Sequence, residues 1–270
     1  MGDQVITESG VATMNANNIL SNRSQLFGLI AESAQTNRLF VVLNRIIKAN
    51  SADSMIIPMN IRPDDLYFTV FNLKKSHVNG AYIAQEYFEE VLDTLDKLND
   101  VVRKSGGCDF VLREETQLSG YFHMPEAVAS YAKKEDYKKI AVIGDNALSR
   151  ALALTLKDED VHFFHPEIEA IMRNAQTLEM DLDINRIDNN LVVDLSDFDL
   201  VINTMDAKIF EKTNFAKTFL DLGVDASFRV ATKAVALKNG VVNYRGFDDL
   251  LDELAKIIFE NYIKDYDGHK

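Results

Sequence analysis

The sequence predicts an α/β protein built from two units, the second of which is doubly wound around a parallel sheet. Short apolar runs alternate with segments whose apolar residues recur at helical spacing from Gln25 onward, and this alternation is typical of strands connected by helices. The alternation is divided into two parts at Met124-Pro125, where the proline is expected to interrupt regular secondary structure. The chain has 270 residues, which is enough for two domains of ordinary size.

Composition restricts the classes of function. The formal net charge is −13, which argues against nucleic acid or an anionic membrane surface as a partner, because binding phosphate requires a surplus of cations. The single cysteine, Cys108, excludes an intramolecular disulfide and favours a reducing, cytoplasmic location. No apolar run reaches the length of a membrane span. We interpret residues 1–24, which are rich in Asn and Ser, as a loose N-terminal arm.

The first unit begins after this arm. Its apolar runs predict strands over 26–31, 54–61, 78–84, 108–113 and 117–123. Apolar stripes predict a helix over 37–49 and a long helix over 87–102. A further helix is expected to open at Pro63, because proline and acidic residues are favoured in a first helical turn.

The stretch 138–156 carries the strongest signal of the second unit. Four apolar residues, 140–143, run into Gly144 and the polar turn Asp145-Asn146, and an apolar stripe follows. This is the pattern of the first strand and helix of a Rossmann-like domain, in which the helix N-terminus holds a pyrophosphate. The motif G-x-G-x-x-G needs glycine at three places, but Asn146 and Ser149 stand at the second and third. Gly144, Asn146 and Ala147 are the candidate cofactor contacts.

The remaining elements continue the alternation. Strands are predicted over 161–165, 178–184, 200–203, 220–224 and 234–237, a helix over 167–176, and a long C-terminal helix over 246–263.

With these elements in place, the chain resembles the shikimate dehydrogenase family over nearly all of 25–263. GAYIAQEYF at 80–88 is similar to the family's G-x-N-V-T-x-P-x-K, and GYFHM at 120–124 to its G-x-N-T-D. That family has an α/β substrate domain followed by a Rossmann NADP domain, and its last helix returns to the first domain. The resemblance therefore implies one domain over 25–124 with 246–270, and a dinucleotide-binding-type domain over 125–245.

The same alignment places apolar residues at the family's catalytic pair. The family reduces 3-dehydroshikimate with NADPH, using a Lys and an Asp; here Phe88 and Met124 stand at those positions. Neither side chain can exchange a proton, and neither Lys nor Asp occurs in 77–88 or 118–125. No catalytic residue is therefore assigned. His123 is a candidate substitute that could form an acid–base pair with Glu86 or Asp109.

The resemblance also implies the positions of a substrate pocket. Asn37 and Leu39 replace the two serines that hold the substrate carboxylate in the family, so the pocket is expected to be less suited to a small carboxylate. Phe88 and Phe122 would add aromatic surface. The other implied pocket residues are Asn44, Tyr82, Asp109, Tyr121 and Glu253.

The sequence leaves NADP, NAD or no cofactor open. No Arg follows the second Rossmann strand, near 164–166, to hold a 2′-phosphate. Glu167 lies where NAD-binding folds keep a ribose-binding acid, although a helix also favours an acid in its first turn. His162 and His165 would share one face of a strand, but no third ligand is evident, so no metal site is predicted.

Two functions follow from these observations. The first is a divergent shikimate-dehydrogenase-like protein without the parent reaction, a pseudoenzyme that acts as a binding or regulatory module for a small molecule or a protein. The alternative is an NAD(P)-dependent oxidoreductase of altered specificity acting on a small cyclic or hydroxy-acid substrate of the shikimate or quinate kind. A homodimer is the default expectation for either.

Overall fold

A computed structural model describes residues 24–206 and 211–264. The interpretation of 1–24 as a loose arm concerns residues that, apart from Ser24, lie outside this range. The described helices are α1 (Arg38–Ala49), α2 (Pro63–Asn72), α3 (Asp100–Ser105), α4 (Met124–Lys134), α5 (Ala147–Thr155), α6 (Ile168–Leu178), α7 (Ala226–Lys238) and α8 (Leu251–Ile258). The described strands are β1 (Gln25–Ala31), β2 (Ser54–Asn60), β3 (Val78–Ile83), β4 (Lys97–Leu98), β5 (Phe110–Glu114), β6 (Gln117–Tyr121), β7 (Lys139–Ile143), β8 (Asp160–His165), β9 (Asp183–Arg186), β10 (Val193–Asp194), β11 (Leu200–Asn203), β12 (Thr213–Asn214), β13 (Thr218–Asp221) and β14 (Asn243–Gly246).

The first sheet is mixed and has the order β2-β1-β3-β5-β6-β4. Strand β1 runs parallel to both of its neighbours, whereas β3, β5 and β6 form an antiparallel series. Phe27, Leu29 and Ile30 of β1, which lies inside the sheet between β2 and β3, are completely buried.

The second sheet contains six parallel strands in the order β14-β13-β11-β7-β8-β9. Numbered from β7, and leaving out the separate pair β10-β12, this is the order 3-2-1-4-5-6 of a doubly wound sheet. The α/β class and the Rossmann-like second unit are therefore confirmed. The chain order reverses between β7 and β11, and in such sheets ligands bind at the carboxyl ends of the strands beside this point.

The predicted helix starts and the C-terminal helix are found. Asn37 caps α1, accepting a hydrogen bond from the Leu39 N–H at 3.0 Å, and Pro63 opens α2 as expected. The C-terminal segment forms a 3₁₀ turn, α8 and a π-helical turn at Phe259–Ile263. Helix α8 packs against α1 and α4. The two sheets lie in the two predicted domains, and the domain boundaries themselves stay a prediction.

The predicted long helix over 87–102 is wrong. Two 3₁₀ turns, β4 and α3 replace it. Asp96 accepts hydrogen bonds from Lys74 Nζ and from the Leu118 N–H, both at 2.8 Å, which hold the segment against the first sheet. Asn99 then caps α3 through the Val102 N–H at 2.8 Å. The apolar residues of this segment are buried or half-buried, as a stripe facing the core predicts, but they lie in turns, a short strand and a short helix.

Two strand predictions in the second unit also need correction. The run 234–237 belongs to α7, whose N-terminus is capped by Asp225 accepting from the Ser227 N–H at 2.7 Å. A run of four apolar residues does not distinguish a strand from a buried helical turn. The strand predicted over 178–184 is confined to β9, because α6 continues through Leu178. No helix in the described ranges is long and apolar enough to cross a bilayer.

Candidate functional site

The candidate site is a cleft of about 300 Å³ between the two sheets. One wall follows β3 and the other lies at the carboxyl ends of the second sheet. Four carboxylates line it, and no Lys or Arg is among its described lining residues. This lining repels the anionic groups of nucleotides and carboxylic acids. The lining residues are Gln85, Glu86, Phe88, Glu89, Glu90, Asn146, Ala147, Leu148, Asp206 and Val224.

The turn after β7 requires its glycine. Gly144 has φ +134°, a backbone conformation that L side chains rarely adopt. A Cβ at Gly144 would also overlap Thr204 Oγ1, which donates a hydrogen bond to the Ile143 carbonyl at 3.1 Å. The packing of the loop after β11 against this turn is therefore enough to explain why position 144 requires glycine, and no bound cofactor is needed for the explanation.

A carboxylate of the first unit lies at the N-terminus of α5. The Ala147 N–H donates to Glu89 Oε1 at 2.9 Å, and the same carboxylate lies 3.6 Å from Arg150. A second N–H of this first turn, that of Ser149, donates a hydrogen bond to the Asn146 side-chain oxygen at 3.1 Å. A helix N-terminus binds anions through such N–H groups. Here the protein's own Glu89 fills the place of the anion.

These residues do not fit the phosphates of a dinucleotide. Ala147 and Ser149 already donate their N–H groups within the chain. His165 ends the second Rossmann strand, β8, where a cation would be needed. Its Nδ1 accepts a hydrogen bond from the Glu167 N–H at 3.0 Å, and its Nε2 lies 3.5 Å from Asp145. Asp145 and Glu89 would add repulsion toward phosphate, so we derive no chemical step through a nicotinamide cofactor.

The two residues that the resemblance places at the family's catalytic positions are core residues. Phe88 is 4% exposed and packs edge to face on Phe122, with ring centroids 5.0 Å apart. Met124 is completely buried. Both side chains contribute apolar packing and no proton donor or acceptor.

His123 lies in a buried polar network near these residues. Its Nε2 is 2.6 Å from the Tyr262 hydroxyl, and its Nδ1 is 3.3 Å from Glu126. Burial lowers the pKa of His123, but the hydrogen bond from the protonated ring to the Glu126 carboxylate and the negative charges of Glu126 and Asp109 outweigh this effect, so the pKa is raised overall. The network joins the C-terminal segment to α4.

Asp109 completes this network through the backbone. Its carboxylate accepts from the His123 N–H at 2.8 Å and from the Met124 N–H at 2.6 Å, and so caps α4. The side chain is completely buried. Burial raises its pKa to about 6, in spite of His123 and the two N–H donors, which favour the charged form. In this structure Asp109 orders the start of α4, and its carboxylate is bonded to the backbone of His123.

The other predicted pocket residues do not converge on one cavity. Tyr82 is 1% exposed, its hydroxyl has no hydrogen-bond partner among the described residues, and burial raises its pKa. Leu39 is in the core, and Asn44 links α1 to β2 by accepting from the Ile56 N–H at 3.2 Å. Tyr121 packs beside Tyr262, with ring centroids 5.3 Å apart.

Two predicted residues lie away from the cleft. Asn37 lines a separate groove of about 610 Å³, and Glu253 is half-buried on α8. Of the predicted site residues, Glu86, Phe88, Asn146 and Ala147 line the 300 Å³ cleft, and Glu86 accepts a hydrogen bond from the Glu32 N–H at 3.1 Å. In the described ranges, no cluster of three His, Cys, Asp or Glu side chains could hold a metal ion.

Sequence reasoning missed Glu89 and Tyr262. Glu89 is 58 residues from Ala147, and Tyr262 is 139 residues from His123, so no local pattern indicates either contact. Glu126 could have been found, because it lies one helical turn after His123.

Comparison of sequences covers part of the chain. A shikimate dehydrogenase (NADP(+)) of Streptococcus pneumoniae (strain Hungary19A-6) is 28% identical over 102 residues, which are 38% of this chain and 36% of that enzyme. The chain thus matches about a third of the length of such curated relatives. No protein-family model matches it.

Comparison of folds covers nearly all of the chain. The crystal structure of an Ael1 enzyme from Pseudomonas putida superposes with a TM-score of 0.72 over 87% of this chain and 92% of its own, at 12% identity. A shikimate dehydrogenase solved in complex with NADP+ gives a TM-score of 0.69 over 92% of both chains, at 15% identity. The resemblance to the shikimate dehydrogenase family is confirmed. The likeness to shikimate dehydrogenases lies in the fold and in part of the sequence, whereas the cleft of this chain carries the side chains described above.

Proposed function

We propose that this chain is a binding module on a shikimate-dehydrogenase-like scaffold and does not carry out shikimate dehydrogenation. The observation that carries the proposal is the hydrogen bond from the Ala147 N–H to Glu89 at 2.9 Å. It closes the helix N-terminus at which a Rossmann domain holds the pyrophosphate of its cofactor. A regulatory module needs the two-domain scaffold but not this phosphate site.

The chemistry of the cleft supports the same proposal. Phe88 and Met124, which the resemblance places at the family's positions for proton transfer, are both buried. The four acidic lining residues oppose the entry of a substrate carboxylate. A binding partner of this cleft is therefore a neutral or cationic small molecule or protein segment. We also place the protein in the cytoplasm, where the single buried thiol of Cys108 would stay reduced.

A turnover assay tests the proposal. We expect no oxidation of shikimate or quinate with NADP+ or NAD+ at cofactor concentrations of about 1 mM, assayed beside the pneumococcal enzyme as a positive control. Steady, enzyme-dependent reduction of either cofactor would overturn it.

The alternative, an oxidoreductase of altered specificity, is favoured by one observation: the contact of 2.6 Å between His123 Nε2 and the Tyr262 hydroxyl. Such a pair could move a proton. If it does, Tyr262→Phe should abolish any turnover found while keeping the ring that stacks on Phe110 at 4.2 Å between centroids. Unchanged turnover in this variant would remove the pair from the mechanism.

A further inference from the structure

Helix α2 presents an aromatic face to solvent. Tyr67, Phe68 and Phe71 are 56%, 72% and 40% exposed, while Leu66 and Val70 anchor the opposite face in the core. The rings of Tyr67 and Phe71 stack with centroids 6.0 Å apart. Single exposed apolar residues are ordinary, but three adjacent aromatic side chains on one short helix indicate an interface.

The charges at the two ends of this face are of opposite sign. Asp64, Phe68 and Phe71 follow one another at helical spacing, and Lys75 comes four residues later in the 3₁₀ turn that ends the helix. Asp64 and Lys75 are both exposed. Within the described ranges neither side chain has a salt-bridge partner. Asp64, Phe68, Phe71 and Lys75 therefore form a stripe in which an acidic side chain is followed by two aromatic ones and then a basic one.

We propose that this stripe docks a second copy of the chain, with the two α2 helices antiparallel across a twofold axis. In an isologous interface each residue meets the same patch in the opposite direction. Phe68 then packs on the partner's Phe71, and Asp64 faces the partner's Lys75. The acid–aromatic–aromatic–base order is complementary to itself only in this antiparallel arrangement, since a parallel one would oppose like charges.

The neighbouring sheet edge offers a poorer route to a dimer. Strand β2 is at the edge of the first sheet, but Pro58 lies within it, in register with Leu29 of β1. Proline lacks the N–H that pairing with another strand requires. The helical face is therefore the surface of this region that is built for association.

Analytical ultracentrifugation of the full chain tests the proposal. We expect a dimer at about 100 μM that dissociates on dilution. Phe68→Glu should weaken dimerisation at least about a hundredfold, because it places two charges in the aromatic centre. The matched control is Val242→Glu, at a residue that is 71% exposed on the second unit; it should leave the dimer unchanged.

A charge swap tests the orientation. Lys75→Asp should weaken the dimer about tenfold, because each dimer contains the pair twice, and adding Asp64→Lys should restore it. A wild-type monomer at the highest concentration, an unaffected dimer in Phe68→Glu, or a double swap that fails to restore association would each overturn the proposal.

Discussion

Replacing Asp109 with alanine is expected to lower the free energy of unfolding by about 3 kcal/mol. The completely buried carboxylate accepts hydrogen bonds from the N–H groups of His123 and Met124. Alanine would leave both donors at the start of α4 buried without an acceptor, at about 1–3 kcal/mol each. Loss of the buried negative charge offsets part of this cost. Urea unfolding measures the change.

The matched control for this prediction is Asp252→Ala. The Asp252 side chain is 82% exposed, and within the described residues it forms an ion pair only with Arg45, so its loss should change stability by less than about 0.5 kcal/mol. A change in Asp109→Ala as small as that of the control would contradict the capping role.

Comparing how the stabilities of the wild type and Asp109→Asn depend on pH tests the role of this carboxylate in a second way. Because burial raises the folded-state pKa of Asp109 to about 6, the folded chain keeps a proton that the unfolded chain loses near pH 4. The folded state thus binds more protons between pH 4 and 6, and this group's contribution to stability falls as pH rises through that window. The wild type should lose on the order of 2 kcal/mol relative to Asp109→Asn across it. A difference independent of pH would contradict the raised pKa.

Replacing Gly144 with alanine is expected to cost about 3 kcal/mol of stability. The cost has two sources: a φ of +134°, and overlap of the new Cβ with Thr204 Oγ1. Adding Thr204→Ala removes the overlap but not the strained φ. The double variant should therefore show a coupling of about 1–2 kcal/mol, measured as a double-mutant cycle in urea.

Gly246→Ala is the control for this glycine. Gly246 has extended backbone, and the nearest atom to an added Cβ is the Asp221 carbonyl oxygen at 3.6 Å, an ordinary contact. Its change should stay within about 0.5 kcal/mol. Equal effects of Gly144→Ala and Gly246→Ala would show that the turn after β7 tolerates a side chain.

The fold could be predicted where the sequence signal is local. The run 140–143, Gly144 and the stripe that follows lie within one strand, turn and helix, and β7 and α5 form there. The segment 87–102 shows the limit of such signals. Its apolar spacing fits a helix, but the long-range bond from the Leu118 N–H to Asp96 holds it in another form.

The site was less predictable, because its contacts are distant in sequence. The resemblance placed Phe88 and Met124 at positions where a proton-transfer pair is expected, and both are buried in the structure. Nothing near Glu89 in the sequence indicates that it meets the Ala147 N–H, since that contact depends on how the two units pack. Side chains that join distant elements need the fold before they can be found.

Calorimetric titration with NADPH and NADH near neutral pH tests most directly whether the phosphate site is closed. The chain has no Trp, so heat is a better signal than energy transfer to the nicotinamide. With Glu89 at the N-terminus of α5, we predict no binding heat at cofactor concentrations of about 1 mM, which corresponds to binding weaker than about −4 kcal/mol. A micromolar Kd, about −8 kcal/mol, would show that the phosphate site is open and would contradict its closure by Glu89.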